Sequence, residues 1–91
     1  MEVLSLIKSI RESFKGSVVV YTEGGCYKFF EILKSVFPQS KAWYDGIDCH
    51  VYTEIDGRFY DIKGEHTKME HWVEVDKCGR IKEIVIGFHF D

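Results

Sequence analysis

Hydrophobic positions near the N-terminus recur at helical spacing. Val3, Leu6, Ile7, Ile10 and Phe14 fall at i, i+3, i+4, i+7 and i+11, which predicts an amphipathic helix over residues 2–15. Gly16 follows at the position where left-handed caps close such helices. The apolar run Val18-Val19-Val20-Tyr21 then reads as a short buried strand or an extended connector, and Thr22-Glu23-Gly24-Gly25 breaks it. A second helix is expected to begin near Cys26, with Phe29, Phe30, Leu33 and Phe37 along one side. The lone Pro38 stops it, because proline cannot continue a helix.

Beyond Pro38 the pattern changes to strand periodicity. Lys41–Asp45 is short and aromatic, and Cys49–Ile55 and Arg58–Ile62 flank Asp56-Gly57, a two-residue hairpin signal. His71–Val75 and Ile81–Phe90 flank a second turn at Asp76-Lys77-Cys78-Gly79-Arg80, and Ile84, Ile86, Phe88 and Phe90 share one face of the last strand. The expectation is an α+β fold. Two N-terminal helices pack on an antiparallel sheet of about four to five strands, arranged as a meander within one domain spanning residues 1–91.

Composition narrows the function classes. With 45% hydrophobic and 15% aromatic residues the chain has the material for a core, and disorder is not expected. A formal net charge of −3, with basic residues scattered among acidic ones, gives no footprint for nucleic acid. No stretch approaches the ~20 apolar residues of a membrane helix, and the N-terminal charges are interleaved as no signal peptide has them. Three cysteines without framework spacing read as reduced thiols in a cytoplasmic protein. No cofactor is expected. Gly24-Gly25 lacks the Lys or Ser/Thr of a phosphate loop, and Cys49, Cys78, His66, His71 and His89 lack zinc-ligand spacing. Cys49 has the opposite parity to His50, so it should pack on the other sheet face, and Cys78 reads as an exposed turn thiol.

Cys26 is the candidate for chemistry. A thiol at a helix N-terminus faces unpaired N–H groups and the positive end of the helix dipole, and both favour the reactive thiolate. The backbone N–H groups of that turn are also candidate oxyanion donors. The plainer reading is a buried cysteine packing a helix start. The hairpin adds to this picture. With Asp56-Gly57 as the turn, opposed residues sum to 113, so His50, Tyr52, Glu54, Phe59, Asp61 and Lys63 share a face and His50 and Asp61 are diagonal neighbours. Such neighbours are ~7 Å apart at the backbone, within side-chain reach. Asp61 could then orient His50, or simply cap the loop at Lys63-Gly64.

Gly-Gly-Cys26 at a helix start, followed by His50 on one strand and Asp61 on the next, resembles the core of transglutaminase-like and papain-like thiol enzymes. That resemblance covers residues 24–64. It implies Cys26 as nucleophile, His50 as general base and acid, and Asp61 as orienter, acting on an amide, ester or acyl carbonyl of a peptide or protein substrate. The stretch Val20-Tyr21-Thr22-Glu23 carries no glutamine of the kind papain-like enzymes use as oxyanion donor; Tyr21 or a backbone amide would have to substitute. The rival reading is a non-catalytic protein-binding protein on the same scaffold, of the phage or mobile-element accessory type, with exposed aromatics such as Trp43-Tyr44 as anchors.

Overall fold

The computed structural model describes residues 2–77. In chain order these form α1 (Val3–Glu12), α2 (Ser17–Thr22), α3 (Cys26–Val36), β1 (Lys41–Asp45), β2 (His50–Ile55), β3 (Arg58–Asp61), β4 (Gly64–His66) and β5 (Val73–Glu74), with a 3-10 turn over Val75–Lys77. All neighbouring strands are antiparallel, in the order β4-β3-β2-β1-β5. The fold is therefore a small α+β arrangement, with three helices and five strands among the described residues.

The run Val18–Tyr21 is helical, not a strand. Gly16 does take the left-handed conformation, at φ 90°, but it also opens α2 immediately afterwards. Val20 N–H donates to the Gly16 carbonyl and Glu23 N–H to that of Val19. Six residues are too few to show a helical period, and three consecutive valines imitate a strand. Position corrects the composition here, since Val19 is 57% exposed and Val20 48%.

The second helix begins where the sequence places it, at Cys26. Gly24 takes a φ of 113°, and Gly25 passes so close to α2 that a Cβ there would lie 2.6 Å from the Val20 carbonyl oxygen. The α2–α3 corner therefore needs glycine at both positions. Phe29 and Leu33 of α3 join Ile7, Ile55, Tyr60 and Ile62 in one core cluster, while Cys26 and Phe30 join Ala42, Tyr44, Val51 and Val75 in another. Both clusters lie between the helices and one face of the sheet.

The Asp56-Gly57 hairpin has the expected register, with Thr53 opposite Tyr60, Glu54 opposite Phe59 and Ile55 opposite Arg58. Two strand assignments change. After Asp61 the chain turns back at once to form β4, pairing Asp61 with Gly64 and Phe59 with His66. Of His71–Val75 only Val73–Glu74 is strand, and it pairs with β1 on the far edge, so the sheet is not a simple meander. Trp72, just before β5, stacks on Tyr52 at 4.0 Å between centroids and meets Phe59 edge-on. This aromatic layer covers the face opposite the helices, so β2 is buried on both sides along most of its length. The predicted strand Ile81–Phe90, together with Cys78 and His89, lies outside the described residues.

Candidate functional site

Asp61 ends β3, the strand between β2 and β4. Continuing the hairpin register puts Tyr52 opposite it and His50 diagonal to it on β2. On the other side the β3–β4 register puts His66 opposite Phe59, and so diagonal to Asp61 as well. One carboxylate thus has an imidazole on each neighbouring strand. His50 Nε2 lies 3.1 Å from Asp61 Oδ2, and His66 Nε2 lies 2.6 Å from Oδ1. The Lys63 N–H also donates to Oδ1, at 2.8 Å. The orienting and loop-capping roles of Asp61 are therefore compatible, one on each oxygen.

Burial would raise the Asp61 pKa, but hydrogen bonds from His50, His66 and the Lys63 amide, with the charge of His66, hold it below the usual carboxylate range. For His50, burial alone would lower the pKa. Hydrogen bonding to Asp61 and to Cys26, with the charges of both partners, outweighs burial and pushes the ring up to about 9. Cys26 thus reaches His50 from the start of α3. Tyr52 stands edge-on to both rings, at 4.6 Å from His50 and 5.1 Å from His66. Burial first, then the nearby Asp61 and Asp45 carboxylates, push its phenol up to about 12, so it stays protonated.

A cavity of about 220 Å³ opens here, with His50, Tyr52, Asp61, Lys63 and His66 in its lining. Cys26 is only 2% exposed and does not line it. Lys63 sits in the β3–β4 turn with its side chain exposed, at the rim of the cavity that His50 also lines. The sequence reading missed His66 because Gly64–His66 is only three residues long, too short for a strand period. The signal for it was Gly64, which turns the chain at φ 126° three residues after Asp61.

A second carboxylate is saturated in the same way. Asp45 Oδ1 accepts the Ile47 and Asp48 amides at 2.9 and 3.2 Å and His71 Nε2 at 2.7 Å, and Oδ2 accepts Trp72 Nε1–H at 3.1 Å. This anchors Trp72 over Tyr52. Cys49, expected to pack on a sheet face, is exposed in the turn before β2 at φ 52°. Among the described residues no group of three or more His, Cys, Asp and Glu side chains is placed to hold a metal, and no helix is long and apolar enough to cross a membrane.

Fold and site together define a small α+β protein whose buried carboxylate bridges two histidines, one of them in reach of a helix-start cysteine. The family model of the Phage YunG-like proteins matches residues 3–88, and the chain belongs to that family. No curated protein and no solved structure matches it. The resemblance to transglutaminase-like and papain-like thiol enzymes is thereby corrected, since the family that matches is neither. Three residues in order on a helix start and a hairpin carry too little information to define a family.

Proposed function

We propose that Cys26, His50 and Asp61 form a thiol site, in a phage-family protein, that acts on an acyl carbonyl of a peptide or protein. The observation that supports this reading is the 3.1 Å contact of His50 Nε2 with Asp61 Oδ2, with Cys26 among the groups that raise the His50 pKa. It supports assigning Cys26 as nucleophile, His50 as its proton partner and Asp61 as orienter.

The proposed chemistry balances without any cofactor. With His50 held as the imidazolium by its raised pKa of about 9, the thiolate of a Cys26–His50 ion pair forms an S–C bond to the carbonyl carbon. The bond from that carbon to the leaving group then breaks, and the leaving group takes the proton from His50. Water or an acceptor nucleophile, deprotonated by His50, cleaves the resulting thioester and restores the thiol. The first-turn N–H groups of α3, which no side chain caps, are the candidate oxyanion donors.

The experiment is site-resolved labelling with a thiol-directed acyl probe, read by mass spectrometry. Cys26 should be labelled, and His50→Ala should abolish labelling while the fold is kept. Labelling confined to Cys49 or Cys78 would overturn the reading.

A second reading is a non-catalytic protein that binds a host protein. The 2% exposure of Cys26 favours it, and membership of a phage family supports the phage-accessory part of it. Under this reading the cluster is a structural polar core, and a Cys26→Ala variant keeps its biological effect.

A further inference from the structure

We infer that His66 is a positioning residue for this site: by holding Oδ1 of Asp61 it turns Oδ2 towards His50. The inference rests on the Cys26–His50–Asp61 reading and extends it to a fourth side chain.

A carboxylate on a strand rotates readily about its terminal bond, and a single contact to one oxygen does not fix it. Asp61 Oδ1 receives two donors from different directions, His66 Nε2–H at 2.6 Å and the Lys63 amide at 2.8 Å. Both come from the β3–β4 hairpin, one from its turn and one from its returning strand. Oδ2 is left with His50. Because Asp61 is held in its ionised, acceptor-only form, both imidazoles must present N–H at Nε2. The His50 ring orientation is thus set by the carboxylate, and the carboxylate by His66.

Packing agrees with this assignment. Both rings stand edge-on to Tyr52, so the imidazoles share one aromatic wall that Trp72 backs from behind. The His66 side chain is 32% exposed and lines the cavity, while Asp61 is 5% exposed. His66 therefore borders the cavity beside Asp61 and His50.

Two variants separate positioning from folding. His66→Phe keeps a ring against Tyr52 but has no donor, and His66→Gln keeps an N–H donor at similar reach without the ring. The readouts are the ring-nitrogen chemical shifts of His50, by NMR, and the rate of Cys26 alkylation by iodoacetamide. In His66→Phe the His50 Nε2–H signal should move, and alkylation should slow about tenfold or more; His66→Gln should recover both, to within about threefold for the rate. A His66→Phe protein with the wild-type His50 signal and rate would overturn the inference, as would a His66→Gln protein no better than His66→Phe. The NMR readout is independent of thiol reactivity. If the wild-type thiol proves inert, the proposed function fails while the role of His66 is still decided by the His50 signal.

Discussion

His50 and Asp61 meet through a 3.1 Å contact between Nε2 and Oδ2, with their side chains only 9% and 5% exposed. Eleven residues separate them in sequence, and the Asp56-Gly57 turn brings them together. An imidazole this buried needs a charged partner to keep its proton. The pair therefore governs both the stability of the site and what the neighbouring thiol can do.

Replacing either member should uncouple the thiol. His50→Ala should slow alkylation of Cys26 at neutral pH by about 10²-fold or more, the range expected for loss of a positioned proton partner, here the imidazolium beside the thiol. Asp61→Asn should slow it less than His50→Ala, because the ring remains but loses its orienting charge. Cys49, which is exposed, is resolved from Cys26 by peptide mass, so the two rates are read separately.

Stability should depend on pH in a definite direction. The folded-state pKa of His50 is raised from 6.5 to about 9, so folding binds that proton more tightly than the unfolded chain does. The stabilisation is complete below about pH 6.5 and is lost as pH rises towards about 9, amounting to about 3 kcal/mol at most. Denaturant unfolding of the wild type and of His50→Gln should show a stability gap that narrows between pH 6 and about pH 10. Asp61 behaves in the opposite sense. Its pKa is lowered, so its contribution is present above the unfolded value near 3.8 and lost as pH falls through the folded one.

Gly25→Ala tests the corner that places Cys26. The new Cβ would sit 2.6 Å from a backbone oxygen, where no flexible side chain can yield. A destabilisation of about 1–3 kcal/mol is expected, as for other overpacked sites. Cys26 alkylation should change as well, because relief of the clash moves the start of α3. Thermal unfolding and the labelling rate measure the two effects.

Asp45→Ala should cost about 3 kcal/mol, since it leaves the buried Trp72 Nε1–H without its acceptor and the turn amides of Ile47 and Asp48 without theirs. Trp72 fluorescence should report loosening of the Tyr52–Trp72 stack. An unchanged unfolding midpoint would show that the Asp45 network contributes little.

The pairing of His50 with Asp61 was legible because the two-residue Asp56-Gly57 turn fixes strand register to the residue, and register decides which side chains share a face. The start of α3 was legible from Gly24-Gly25 and the aromatic stripe behind Cys26. Val18–Tyr21 was not, because β-branched residues in a single helical turn carry a strand signal that only tertiary placement overrides. His66 was missed because its strand is too short to show alternation, and the strand expected over His71–Val75 shortens to Val73–Glu74 because stacking on Tyr52, rather than strand pairing, holds Trp72. The family was not legible, because three residues in order on a helix start and a hairpin are too few to separate thiol enzymes from the Phage YunG-like proteins whose model matches residues 3–88.

The most direct test of coupling between Cys26 and His50 is an NMR titration of the His50 ring in the wild type and in Cys26→Ala. A wild-type pKa of about 9 that falls when the thiol is removed, with the Asp61 contact retained, is the expected result. A ring that titrates at its ordinary value in both proteins, or a raised pKa indifferent to loss of the thiol, would contradict the coupling on which the proposed chemistry depends.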